Sequence, residues 1–154
     1  MLYFAYGSNM DRAAMHRRCP NSRALGRARL ARHRLFIAAP GYVSIKTDPR
    51  ADVHGVLYDL ALSDVAALDR YEEVGRGLYR KIMQPVLREG GGPVRALVYA
   101  GTNQAEAKPI PAHLKAIIAA ARDWALPEAY IASIVALGDD KEAPRAVRLR
   151  GVEV

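Results

Sequence analysis

Six apolar, β-like runs precede the first long helical stripe of this chain, and that ordering restricts its fold more than any other feature. The first, residues 2–6, is a short continuous apolar and aromatic stretch, the pattern of a strand buried on both faces. Residues 25–38 alternate weakly and predict one long or two short strands. Pro40-Gly41 marks a turn, residues 42–47 form another β-like run, and residues 53–60 follow with Val56, Tyr58 and Leu60 on one face. Residues 78–88 and 93–100 are joined by Gly90-Gly91-Gly92, which reads as a hairpin.

Helices are fewer. Ser8 or Asn9 is placed to cap a short helix running to about residue 18. Ser63 is placed to cap another that carries Val65 and Leu68 and ends near Tyr71. Leu114, Ile117, Ile118 and Ala121 then fall at i, i+3, i+4 and i+7, an apolar stripe suited to packing on a sheet. Pro127 starts a last helix, with Tyr130, Ile131, Ile134 and Val135 expected inward and Gly138 as its stop. Residues 147–154 suggest a final edge strand. The expectation is an α+β fold: a mixed sheet or small barrel of about six to seven strands, with about three to four helices packed around it.

With 154 residues, 51% apolar and 25% charged, and with no repeat, low-complexity stretch or long linker, residues 1–154 are expected to form a single domain. No apolar run approaches the ~18 residues of a membrane span, so no membrane partner is expected. The first residues lack the basic-then-apolar pattern of a secretory signal. The single cysteine, Cys19, excludes an intramolecular disulfide, and a cytoplasmic location is the economical reading. Oligomeric state is not legible.

The charge is lopsided. Residues 1–34 hold eight arginines against one acid, Asp11, which accounts for all of the net +7. Such a segment is a solvated face, a lure for anionic small molecules, or a nucleic-acid surface. Arginine outnumbers lysine 18 to 5 across the whole chain, which points away from selection for phosphate binding. No base-stacking aromatic motif accompanies it, so no nucleic-acid partner is expected.

Two segments offer chemistry. At Tyr6-Gly7-Ser8-Asn9-Met10 a strand ends and a helix begins, which presents free backbone N–H groups that favour a carboxylate or an oxyanion. Gly7-Ser8-Asn9 also makes an ordinary strand-to-helix turn. At Leu68-Asp69-Arg70-Tyr71-Glu72-Glu73-Val74-Gly75, adjacent carboxylates follow a helix and precede a loop leading to Tyr79. A carboxyl group in a partly apolar pocket has a raised pKa and exchanges protons near neutrality, and a neighbouring like charge acts the same way. Acids at helix ends are also commonly just solvated.

Taken together, these segments resemble the gamma-glutamylcyclotransferase family. That family opens with Leu-Tyr-Phe-Ala-Tyr-Gly-Ser-Asn and then leucine or methionine, standing here as Leu2 through Met10. Its second motif, Leu-Asp-x-x-Glu-Gly-Val followed by tyrosine, corresponds to Leu68, Asp69, Glu72, Val74 and Tyr79. A weaker similarity covers Pro111, Ile117, Leu126-Pro127 and Tyr130, so the resemblance spans roughly residues 2 to 135. It implies an enzyme that releases 5-oxoproline from a γ-glutamyl amino acid or γ-glutamylamine, without cofactor or metal. Glu72 would be the acid/base, Tyr6, Gly7, Ser8, Asn9 and Met10 would cradle the γ-glutamyl group, and Tyr79 would line the pocket. Two departures stand out: Glu73 replaces the glycine common after the catalytic glutamate, and His113 stands where animal enzymes carry a tyrosine. The alternative from another class is a binding module that keeps the pocket without turnover; retention of Glu72 beside an anionic ligand argues against it.

Other reactive residues lack partners in the pattern. Cys19 follows His16 by three residues, but no third orienting group is apparent for a thiol nucleophile. His16, His33, His54 and His113 show no zinc-site spacing. His54 falls in a strand pattern and reads as structural, and His113 is placed to touch substrate. Gly90-Gly91-Gly92 lacks the Lys-Ser/Thr of a phosphate loop.

Overall fold

A computed structural model describes residues 1–139. Among them, five strands close into a barrel: β1 (Leu2–Ala5), β2 (Arg23–Ala38), β3 (Tyr42–Asp59), β4 (Tyr79–Arg88) and β5 (Pro93–Gly101), in the order β1-β3-β2-β4-β5. Neighbours run antiparallel except where β5 meets β1 in parallel, Tyr3 opposite Leu97, to complete the ring. The closing contacts are short: β2 meets β4 only at Ala28–Arg88 and Arg29–Leu87. Four helices surround it: α1 (Arg12–Arg18), α2 (Val65–Tyr71), α3 (Pro111–Asp123) and α4 (Glu128–Ala136).

The strand count falls below six to seven because two expected runs are one strand. Residues 42–47 and 53–60 both belong to the 18-residue β3, and residues 25–38 lie within the 16-residue β2. The pairing steps from Ala31–Asp52 to His33–Thr47, so Asp48 to Ala51 bulge opposite Arg32 alone. Pro49 sits in that excursion, where no ladder donor is required, and Arg32 takes a left-handed φ of 59°. The Gly90–Gly92 hairpin joins β4 to β5 as expected. The strand expected over residues 147–154 lies outside the described residues.

Helix ends also differ from expectation. Ser8 and Asn9 do not cap α1; they form a 3-10 turn with Met10, and Asp11 caps the helix by accepting from Ala14 N at 3.0 Å. Asp11 is the first side chain past the turn that can fold back on the helix donors. Ser63 likewise lies in a 3-10 turn before α2, and Asp64, the residue at that helix start, instead receives Asn21 N and Ser22 Oγ at 3.0 and 2.8 Å.

The core follows from the patterns. Tyr3, Phe4 and Ala5 are buried, as both faces of β1 require, and Leu114, Ile117 and Ala121 of α3 are buried beside Tyr130, Ile131 and Ile134 of α4. Val135, expected inward, is 40% exposed, because the inward stripe of this short helix is filled by Ile131 and Ile134. Strands β1 and β3 pass so closely that a Cβ built on Gly55 would lie 2.2 Å from Ala5 O and 2.9 Å from the Phe4 ring. Helix α3 packs beneath the Ser8–Met10 turn, where Trp124 Nε1 and Tyr58 Oη donate to Met10 O at 2.7 and 3.5 Å. The end of β1 is thereby held against the helical layer.

Candidate active site

The turn after β1 presents its donors to one side. Its first internal bond runs from Met10 N to Gly7 O, so the N–H groups of Ser8 and Asn9 precede any intrahelical acceptor. Gly7 has a φ of −114°, outside the left-handed region; glycine stands here for space, since a Cβ would meet Val43 Cγ2 at 3.1 Å. Ser8 Oγ and Tyr71 Oη are hydrogen-bonded at 2.7 Å, which ties the turn to the end of α2. Met10 turns the opposite way, is fully buried in the core, and does not border the cavity described below. Of the segment expected to cradle the substrate, Tyr6, Gly7, Ser8 and Asn9 border the cavity and Met10 does not.

Asn9 is the buried hinge of the region. Arg18 Nη1 donates to its Oδ1 at 2.5 Å, which fixes the amide so that Nδ2 donates to Tyr3 Oη at 3.0 Å and Glu72 Oε1 at 3.3 Å. Arg18 also stacks over the Tyr71 ring at 3.6 Å. Helices α1 and α2 thus meet through one cation, one amide and one carboxylate. Arg18 and Tyr71 carry no motif of their own, and only the approach of α1 to α2 reveals them; Tyr3 lies within the opening motif, but its bond to Asn9 appears only in the structure.

Glu72 ends α2, its N–H bonded to Leu68 O at 2.9 Å, because the next residue reverses hand. Glu73 has φ 50° and ψ 41°, the left-handed region that glycine occupies without strain. Burial pushes the half-buried Glu72 carboxyl up to about 7, against an opposing pull from the Arg18 guanidinium. The expected push from the adjacent acid is absent from these causes, because Glu73 turns its carboxylate to Arg76 Nη1 at 2.8 Å.

Glu72 and the turn face a common cavity of about 160 Å³. Its wall includes Tyr6, Gly7, Ser8, Asn9, Glu72, Glu73 and Tyr79, together with Tyr3, Tyr42, Val43, Tyr71, Tyr99 and His113. Tyr6 Oη donates to Tyr99 O at 2.5 Å and Tyr79 Oη to Val43 O at 2.7 Å. Burial raises the pKa of both phenols well above the usual tyrosine value, so they stay protonated. His113 Nε2 accepts from Val43 N at 3.3 Å, which puts the ring proton on Nδ1, and burial lowers its pKa in keeping with a neutral ring.

The remaining candidates lie elsewhere. Cys19 is fully buried and its thiol is pushed up to about 11 by burial and Asp64, which leaves it unreactive. His54 packs on the Tyr130 ring at 4.9 Å. The N-terminal arginines are dispersed rather than gathered: Arg23, Arg27, Arg29 and Arg34 pair with Asp59, Glu89, Asp52 and Glu106, while Arg12 covers the Trp124 ring at 3.8 Å. Among the described residues no group of three or more His, Cys, Asp or Glu is placed to hold a metal ion, and no helix is long and apolar enough to cross a membrane.

Comparison with known proteins bears on this arrangement. The model of the AIG2-like family matches residues 52–134, more than half of the chain. The gamma-glutamylcyclotransferases of Bos taurus and Homo sapiens are each 31% identical over 139 residues, covering 84% of this chain and 74% of theirs. A solved structure of a gamma-glutamyl cyclotransferase superposes with a TM-score of 0.84 at 28% identity, over 93% of this chain and 91% of that one. The chain belongs to this family, has its fold, and is an enzyme of the gamma-glutamylcyclotransferase type.

Proposed function

We propose that this member of the gamma-glutamylcyclotransferase family releases 5-oxoproline from a γ-glutamyl amino acid or γ-glutamylamine, with Glu72 as the proton-transfer group. The supporting observation is the position of Glu72: a carboxyl group with a pKa of about 7 on the wall of the cavity that the Ser8–Asn9 turn also borders. Near neutrality such a group is populated in both protonation states, as a residue that takes and returns one proton requires.

The chemistry balances with few parts. Glu72 takes a proton from the substrate's α-ammonium, and the freed amine attacks its own γ-carbonyl carbon. A ring C–N bond forms and the C–N bond to the leaving amine breaks; the ring nitrogen sheds its second proton as the lactam forms, and the leaving nitrogen takes up both protons, passed in turn by Glu72, and departs as an ammonium. No water is consumed. Attack within one molecule makes holding the folded-back conformer the main task, and such orientation is worth roughly 7–11 kcal/mol. The N–H groups of Ser8 and Asn9 serve either the α-carboxylate or the tetrahedral oxyanion, and loss of an oxyanion donor costs about 10²–10³-fold. Tyr6 and Tyr79 form uncharged walls, and Asn9 orients the carboxylate.

The test is 5-oxoproline release from a panel of γ-glutamyl compounds by the native chain and Glu72→Gln. The reading expects release by the native chain, and at least a ~10²-fold fall in the folded variant. Equal turnover by both would remove Glu72 from the chemistry, and ligand binding without release would make the chain a binding module.

A further inference from the structure

The cavity is small and its charges have one sign. At about 160 Å³ it falls below the roughly 300–1,000 Å³ of sites for drug-sized ligands and has the liquid volume of about five waters. On the cyclotransferase reading the γ-glutamyl group occupies this space, which puts the leaving amine towards its opening. The charged residues on the cavity wall are Glu72 and Glu73; no lysine or arginine borders it. Arg18 and Arg76 do not border the cavity: Arg18 Nη1 donates to Asn9 Oδ1 at 2.5 Å, and Arg76 Nη1 pairs with the Glu73 carboxylate at 2.8 Å, a partner that a substrate ammonium would share or displace.

We propose that Glu73 is a specificity determinant that favours γ-glutamylamines whose leaving part carries a positive charge over γ-glutamyl amino acids, whose leaving part carries a carboxylate. This rests on the cyclotransferase reading of the same site. If Glu72 handles the reacting nitrogens, the second acid beside it meets what lies beyond the scissile bond. There it attracts an ammonium and repels a carboxylate. Glu73 also occupies a left-handed conformation at φ 50° that costs a residue with a Cβ roughly 1–2 kcal/mol, where glycine would be free of strain. Strained residues of this kind concentrate where a side chain is used.

The experiment compares kcat/KM for three γ-glutamyl compounds: the monoamide of a diamine, the amide of alanine, and the uncharged methylamide. The native chain and Glu73→Gln are each assayed at low and high salt. The native chain is expected to prefer the diamine compound to the alanine compound, and the ratio should fall about tenfold in Glu73→Gln. An exposed pair contributes up to about fivefold, and the variant forfeits both the attraction and the repulsion. Salt should shrink the native ratio but not that of the variant. A general loss of folding or turnover cancels in the ratio, so only a charge effect moves it. An unchanged ratio, or a native preference for the alanine compound, overturns the proposal while turnover of the methylamide leaves the cyclotransferase reading standing. Failure to release 5-oxoproline from any of the three overturns that reading and the proposal with it.

Discussion

Burial of Glu72 should be measurable without any substrate, as a pH-dependent cost to folding. Its carboxyl group rises from 4.5 to about 7 on folding, so between those values the folded chain holds a proton that the unfolded chain has released. A raised acid pKa therefore gives stability that is complete below pH ~4.5 and is lost as the pH climbs through about 7. At 1.36 kcal/mol per unit the full loss is at most about 3 kcal/mol, since water reaching a half-buried group trims the effect. Glu72→Gln cannot ionise and escapes the loss. Urea unfolding of both proteins from pH 4.5 to 8.5 should show the variant gaining on the native chain by about 2–3 kcal/mol across the range, most of it between pH 5 and 7.5. A constant offset from the side-chain exchange cancels, because only the change with pH is read. Parallel pH curves for the two proteins would mean that Glu72 ionises as though in water, and the reasoning from burial would fail.

Two further substitutions test the framework around the site. Glu73→Gly relieves a left-handed residue worth roughly 1–2 kcal/mol but adds glycine's chain entropy of roughly 0.5–1 kcal/mol. A net gain of about 0.5–1 kcal/mol should appear as a melting temperature higher by about 1–4 °C, and a lower one would contradict the assigned conformation. Gly55→Ala drives a methyl group to 2.2 Å from Ala5 O, a backbone atom that cannot swing aside, so β1 and β3 must separate. A loss of at least about 1–3 kcal/mol in urea unfolding is expected, and a neutral result would refute the close approach of these strands.

What could be read beforehand was local. The Gly90–Gly92 hairpin, the α3 stripe and the β1 core strand each follow from a few neighbouring residues, and each is present. The glycine-serine-asparagine turn and Glu72 border one cavity, and Asn9 Nδ2 reaches Glu72 Oε1 at 3.3 Å. What escaped depends on distant partners. Residues 42–47 and 53–60 read as separate runs, but they are one strand, because β2 accommodates the segment between them by placing one residue opposite four. Met10 looked continuous with the turn, but Trp124, far along the chain, claims its carbonyl. The Arg18–Asn9–Glu72 chain exists only because α1 and α2 pack together, and no spacing in the sequence encodes that meeting. Glu73 shows the reverse: a departure from the family pattern seen in the sequence acquires a physical meaning, a Cβ where the backbone turns left-handed.

Turnover by this site requires one carboxyl group, that of Glu72, to change protonation. The most direct check is the pH profile of kcat/KM for 5-oxoproline formation. An acidic limb with its midpoint near 7, missing from the residual activity of Glu72→Gln, is the predicted result. A limb near the ordinary carboxylate range, or an identical limb in both proteins, would place the proton transfer on some other group.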